Sequence, residues 1–259
     1  MNYKVSICLP AIRTNLWENF YNSIIPSVEN YSWELIMVGP NDPPPFFSSK
    51  KNFKFLKDYG SPARCIQIAT SLAEGELMMW GSDDGIFKKA AIASCIEKHE
   101  KLNYKDVIAL KFTEGKNHMG GPMPKNYWMA HQHHTLRVVP EDFKIMMIGM
   151  FKLKYFRDLG GFDCKFEQVN MNTHDLSFRV QRDGGKIYES DIYVSTHDFQ
   201  QPDHKEMNNA FQENDYPLWQ EMYKLAPNFT YNERPIKIDY FNWHQSPIIW
   251  KRRFGDLND

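Results

Sequence analysis

Cysteine is sparse in this chain. The four in 259 residues (Cys8, Cys65, Cys95 and Cys164) form no C-x-x-C pair, which excludes a thiol redox motif and a compact zinc knuckle. They read as the reduced thiols of a cytoplasmic protein and not as a disulfide framework. An excess of charge of one sign is also missing: 31 Lys plus Arg face 32 Asp plus Glu, a net charge of −1. A chain so balanced does not hold nucleic acid or an anionic membrane by bulk charge. No apolar run approaches the ~20 residues that span a bilayer; Ile145 to Phe151 is among the longest. Val5 to Leu9 is too short for a signal core, and no cleavage pattern follows it. Internal repeats and low-complexity tracts are absent as well. What is plentiful is aromatic: 15% of residues, seven of them tryptophan, which suits a rigid core or a stacking platform.

The apolar pattern of the first part alternates between two periods. Val5 to Leu9 is a continuous apolar run ended by Pro10, as expected of a strand covered on both faces. Trp17 to Val28 carries a helical stripe of Trp17, Phe20, Tyr21, Ile24, Ile25 and Val28. Glu34 to Val38 is a second strand, stopped by Gly39-Pro40, and the triple proline from Pro43 to Pro45 forces an extended loop. Phe53 to Leu56 is a third strand. Ser61 then caps a helix with Pro62 in first position and Gly75 at its end, its buried face being Cys65, Ile68, Ala69 and Leu72. A strand from Glu76 to Trp80, a helix from Lys88 to Lys101 and a strand from Val107 to Phe112 complete the series.

This alternation predicts an α/β fold: a Rossmann-like, mostly parallel central sheet with helices on both faces. Such sheets bind ligands beyond the carboxyl ends of their strands. The loops to read for chemistry are therefore Pro10 to Thr14, Pro40 to Asp42 and Ser82 to Asp84.

From Glu114 to His134 the periodicity fails, and the stretch reads as a long functional loop. A strand (Thr135 to Val139), an apolar segment and a short helix ending near Gly160-Gly161 follow. A helix from His174-Asp175 to Gly184-Gly185 leads into strand-like pieces at Lys186 to Glu189 and Ile192 to Thr196. The expected organisation is a domain over residues 1–200, with halves at about 1–112 and 113–200, and a helical strap over 201–259. The strap's aromatic and basic end suits a peripheral membrane, a partner or the chain's own acceptor cleft.

Several residues can carry chemistry. Asp83 and Asp84 leave a buried apolar strand together, a costly arrangement unless water or a cation neutralises them. Oxygen ligands of that kind suit Mg²⁺ or Mn²⁺, and an Asp-Asp-Gly turn is the plainer alternative. Asp175, in the first turn of its expected helix, either complements the dipole and pairs with Arg179 or does chemistry. Arg64, in the first turn of the Ser61-capped helix, asks for an anion nearby, whether a ligand or a surface partner. Arg13 suits a phosphate or solvent. His197 is either a ligand or an ordinary polar residue, and His131, His133 and His134 read as loop polarity.

The order of these pieces is more specific than any one of them. A strand ending at Pro10, a strand ending before Asn41-Asp42 and an Arg-bearing helix come first. Glu74-Gly75-Glu76 then enters a strand that ends Ser82-Asp83-Asp84. Gly160-Gly161-Phe162-Asp163 and Asp175-Leu176-Ser177-Phe178-Arg179 follow. The series resembles the family 2 glycosyltransferases of the GT-A fold over residues 4–200. The resemblance implies that Pro10, Ala11, Arg13, Pro40, Asn41 and Asp42 hold the base and ribose of a nucleotide sugar, UDP being the usual nucleotide. Ser82 and Asp83 belong to the donor loop. Asp83 matches the last carboxylate of the family's Asp-x-Asp motif, which binds Mn²⁺ or Mg²⁺ on the diphosphate. Gly81 stands at the motif's first position, and Asp84 is the helper. His197 occupies the place of a third metal ligand, and Arg64 would contact the diphosphate. Asp175 matches the base that deprotonates an acceptor hydroxyl on a glycan or related molecule, with Glu167 and His174 in reserve. Displacement by such a hydroxyl inverts the anomeric centre. Two rivals stand beside this reading: a nucleotidyltransferase, which would want a Gly-rich basic loop absent after Pro10, and a binding module without catalysis.

Overall fold

The computed structural model describes residues 3–114, 130–132, 144–197, 205–223 and 234–256, with the backbone alone at 113–114, 130–132 and 196–197. Its strands and helices run β1 (Val5–Pro10), α1 (Trp17–Val28), β2 (Trp33–Gly39), β3 (Phe53–Lys57), α2 (Pro62–Ser71), β4 (Leu77–Trp80), β5 (Gly85–Phe87), α3 (Ala91–His99) and β6 (Val107–Glu114). They continue with β7 (Ala130–Gln132), β8 (Lys144–Met146), β9 (Gly149–Lys152), α4 (Leu153–Asp158), α5 (Val169–Arg182), β10 (Ile187–His197), α6 (Lys205–Ala210), α7 (Tyr216–Tyr223) and α8 (Lys251–Phe254).

Among the described residues the main sheet has eight strands in the order β3-β2-β1-β4-β9-β6-β10-β5. Neighbours from β3 to β4 are parallel, as are β6 and β10, whereas β9 runs against both β4 and β6 and β5 runs against β10. The alternation of side chains in the inner strands explains their unbroken apolar runs. Val5, Ile7 and Leu9 pack with Trp17, Phe20 and Ile24 of α1 and Ile92 and Ile96 of α3. Cys8, Met78 and Trp80 face the other way, into a cluster with Ile66 and Ala69 of α2 and Leu176 and Val180 of α5. Both faces are covered, so both bury apolar residues. The chain steps outward from β1 to β2 to β3, and α2 then returns it to β4 on the far side of β1. That reversal opens a crevice between the carboxyl ends of β1 and β4.

Some elements differ from the pattern-based reading. Helix α5 begins at Val169, so Asp175 is its seventh residue and lies beyond the first turn. The early start is pinned from elsewhere: the Asp215 carboxylate accepts the backbone N–H of Glu167 and of Gln168, each at 2.8 Å. The two expected strand pieces are one bulged strand, β10, whose register shifts between Glu189 and Tyr193. Gly75 does not cap α2, which ends at Ser71; a Cβ there would lie 2.6 Å from Ser6 Oγ, so close approach to β1 requires the glycine. The expected strand at 135–139 and His133 and His134 lie outside the described residues.

Beyond residue 200 the described residues add no strand to the main sheet. Trp219 and Tyr223 of α7 pack on Phe166, Met171 and Phe178, and Trp243 enters the cluster under α2. Ile249 makes a parallel bridge with Tyr59, whose carbonyl accepts Trp250 N at 2.8 Å. The basic end turns inward: Arg252 pairs with Glu167 and Glu213, and Arg253 with Glu206. All four cysteines are free and buried, and burial pushes each thiol well above its ordinary range. Among the described residues no helix is long and apolar enough to cross a membrane.

Candidate active site

The crevice between β1 and β4 is built around one carboxylate. Asp83, 1% exposed, leaves the end of β4 and turns back toward the loop after β1. Its Oδ2 accepts the backbone N–H of Ile12 and Arg13, each at 2.7 Å, and the Trp17 indole N–H at 3.0 Å. Its Oδ1 accepts from Arg13 Nη1, and Arg13 Nη2 lies 3.7 Å from Asp84 Oδ2. The loop after β2 closes on the same segment. Asn41 Nδ2 donates to the Ile12 carbonyl at 2.9 Å, and Ala11 N donates to Val38 O at 2.9 Å. A Cβ on Gly39 would fall 1.8 Å from Ala11 O, so only glycine permits that approach.

Pro10, Ala11, Arg13, Pro40, Asn41, Ser82, Asp83 and Asp84 thus gather at one mouth of the sheet. The His197 backbone pairs with Gly85, the residue after Asp84, so the strand ends bring that position to the same turn. Asp42 turns aside: its exposed carboxylate holds Lys57 Nζ at 3.0 Å.

As a donor set for Mg²⁺ or Mn²⁺ these residues do not fit. Four N–H donors occupy the two oxygens of Asp83, and a guanidinium stands against both carboxylates. Hard divalent ions need several open oxygens at one point. Among the described residues no group of three or more His, Cys, Asp or Glu can hold a metal ion.

Arg64 has found its anion within the protein. It is 8% exposed, and its Nε and Nη2 hold the Asp58 carboxylate at 3.0–3.1 Å. Its Nη1 donates to the Trp243 carbonyl and, at 3.2 Å, to Ser246 Oγ. Ser61 caps α2 as expected, accepting Arg64 N at 3.3 Å. The guanidinium that the resemblance assigns to a diphosphate therefore ties α2 to the C-terminal segment.

Asp175 is not open to a cleft. It is 0% exposed; Oδ2 accepts from Arg179 Nε at 2.7 Å, and Oδ1 from Tyr223 Oη at 2.7 Å and Arg234 Nε at 2.9 Å. Burial alone would raise its pKa, but the charges of Arg179 and Arg234 prevail and hold it at about 2. Arg179 also donates to the carbonyls of Leu159 and Gly161, and Arg234 Nη2 to Asp163 Oδ2 at 2.6 Å. Sequence reasoning missed Tyr223 and Arg234, for they stand 48 and 59 positions from Asp175 with no shared pattern.

The reserve residues sit differently. Glu167 lines a cleft of about 550 Å³ shared with Ser61, Cys164, Lys165, Gln245 and Trp250. Its Oε2 accepts from Arg252 Nε at 2.6 Å and from the Trp250 indole, and its side chain remains 22% exposed. His174 is half-buried, with Nδ1 2.8 Å from the Asn170 carbonyl and its ring edge-on to Trp219.

No protein-family model matches this sequence, and no curated protein matches it. Solved structures do. S. aureus TarS 1–349 superposes with a TM-score of 0.57 at 16% identity, over 93% of this chain and 71% of that one. The same protein in complex with UDP-GlcNAc gives 0.50 at 17%, over 78% and 60%. GalNAc-T7 with UDP, GalNAc and Mn²⁺ gives 0.58 at 11%, over 86% and 48%. The chain therefore spans less than two thirds of the UDP-GlcNAc-bound TarS chain and about half of GalNAc-T7. Both are GT-A-type glycosyltransferases, and the mixed, mostly parallel sheet described above has their fold.

Proposed function

We propose that this chain is a glycosyltransferase that takes a nucleotide sugar, most simply a UDP-sugar, and moves the sugar to an acceptor hydroxyl on a glycan or related molecule with inversion. The observation that carries the reading is the switch point, where the loops after β1, β2 and β4 converge on Asp83 within a GT-A sheet. The TarS and GalNAc-T7 structures of this fold hold UDP, UDP-GlcNAc or GalNAc, which supports a nucleotide-sugar donor. The reduced, buried thiols suit work in the cytoplasm.

In this reading the backbone of Pro10 to Arg13 and the side chain of Asn41 receive the base and ribose, while Asp42, turned to Lys57, takes no part. Arg13 supplies positive charge toward the leaving diphosphate. The acceptor hydroxyl is a weak nucleophile, and a carboxylate on its side of the anomeric carbon takes its proton. Glu167 suits that task better than Asp175. Its Oε2 is held by Arg252 and the Trp250 indole, but its side chain stays 22% exposed on a cleft, whereas the fully buried Asp175, held at about 2 by two arginines, is a poor proton acceptor. A divalent cation, implied by the resemblance and present in GalNAc-T7 as Mn²⁺, meets no open ligand set at Asp83 and Asp84.

The test is release of nucleoside diphosphate from a panel of nucleotide sugars, with and without simple glycan acceptors. Release that Glu167→Gln slows by ~10²–10⁴-fold supports both the reaction and its base. Release of pyrophosphate would identify a nucleotidyltransferase. Binding without turnover of any donor supports a second reading, a nucleotide-sugar-binding module, which is favoured by the internal saturation of Asp83 and Asp175.

A further inference from the structure

Adjacent carboxylates at the exit of a buried strand require a counter-charge. Here the counter-charge is part of the chain. Arg13, on the loop after β1, donates through Nη1 to Asp83 Oδ1 and holds Nη2 3.7 Å from Asp84 Oδ2, its side chain 14% exposed. The planar fork of a guanidinium spans two carboxylates in a way that the single ammonium of lysine does not. The other oxygen of Asp83 is filled by Ile12 N, Arg13 N and Trp17 Nε1. The same residue therefore supplies two of the donors that close Asp83, one from its backbone and one from its side chain.

We propose that Arg13 is the resident cation of this site: it takes the position between Asp83 and Asp84 that a divalent ion would otherwise take, and a nucleoside diphosphate binds against it without metal. The guanidinium keeps donors for that ligand. It has five N–H groups, and Nε is buried with no hydrogen-bond partner among the described residues. A phosphate oxygen that reaches Nε therefore completes the hydrogen bonding of the guanidinium without displacing its bond to Asp83. The lack of a metal site stands independently of the glycosyltransferase reading; the diphosphate half rests on it.

Two measurements on the intact chain test this. Mn²⁺ alone is titrated and free Mn²⁺ followed by electron paramagnetic resonance. The wild-type protein should leave the free signal unchanged, whereas Arg13→Gln should take up one equivalent. UDP is then titrated calorimetrically in EDTA and in Mn²⁺. Wild-type affinity should be equal in both, and Arg13→Gln should lose about tenfold or more in EDTA and recover it with Mn²⁺. A wild-type Mn²⁺ site abolished by Asp84→Asn overturns the proposal, as does a UDP affinity that Mn²⁺ raises about tenfold. If UDP binds in neither condition, the nucleotide-sugar reading and the diphosphate half fail together, while the Mn²⁺ titration still decides the resident-cation half. Should Arg13→Gln not fold, the wild-type measurements decide both.

Discussion

Arg234 Nε donates to Asp175 Oδ1 at 2.9 Å, joining residues 59 positions apart. The same guanidinium reaches Asp163 Oδ2 at 2.6 Å through Nη2. One arginine from the C-terminal segment thus neutralises two buried carboxylates, one on the turn after Gly160-Gly161 and one in the middle of α5. Burial lowers the local dielectric, which strengthens the pairs and raises the cost of breaking them.

Replacing Arg234 by methionine keeps the aliphatic stem and removes the charge. Asp163 then loses its ion-pair partner, and Asp175 keeps only Arg179 and Tyr223. Breaking a buried pair in this way costs about 3–5 kcal/mol. Urea unfolding should show a loss of that order. A change below about 1 kcal/mol would mean that the pair is screened as a surface bridge is.

Asp175→Asn separates a structural carboxylate from a catalytic one. The variant leaves Arg179 and Arg234, both buried, facing a neutral amide, and its melting temperature should fall well below the parent's. Turnover per folded molecule should stay within a few-fold, because the group does not reach the cleft. The acid limb gives a second check. Asp175 is held at about 2, below its ordinary 3.8. Its contribution is therefore full above the ordinary value and is lost as pH falls toward about 2. The Asn variant should lack that part of the acid transition.

Much of the N-terminal half is legible because its signals are local. The run from Val5 to Leu9, the stripe from Trp17 to Val28 and the Ser61-Pro62 cap each declare an element within a few residues, and α1 and α2 start where those signals put them. The short strands β5, β8 and β9, three or four residues each, hold too few positions for a period to show. The site was legible as a set of loops but not as a set of bonds. Asp83 and Asp175 stand out in the sequence as acids, but their partners Arg13, Trp17, Tyr223 and Arg234 are set by tertiary contacts that no spacing encodes. The place of Asp175 in its helix is hidden for the same reason: Asp215, which pins the entry to α5, lies 47 positions from Gln168.

Asp83→Ala should damage the fold as well as the site. The loop from Ile12 to Trp17 loses the acceptor for four donors, leaving two backbone N–H groups and an indole N–H without it. A hydrogen bond to a charged group contributes about 1.5–3 kcal/mol, and the four are not additive, so a total loss near the upper figure is expected. Hydrogen exchange should show the amides of Ile12 and Arg13 becoming fast while those of β2 stay slow. Unchanged protection at Ile12 and Arg13 would remove Asp83 from this role.

His99 provides a pH dependence unconnected with the site. It ends α3, is 0% exposed, and has no hydrogen-bond partner at either ring nitrogen among the described residues. A histidine in the last turn of a helix is ordinarily favoured in its charged form by the dipole. Here burial prevails and lowers its pKa from 6.5 to about 4. Between those values the unfolded chain binds the proton and the folded chain does not, so stability falls as pH falls through the window. The loss is complete near pH 4, where the folded state begins to protonate too, and it amounts to roughly 3 kcal/mol. His99→Leu removes the titration and the two unpaired nitrogens while filling a similar volume. Its unfolding free energy should be equal to or above the parent's at pH 7, and the gap should widen as pH is lowered from 6.5 to 4. Parallel curves for the two proteins across that range would show that the ring is solvated in the folded state, and the assignment of the acid sensitivity to His99 would fail.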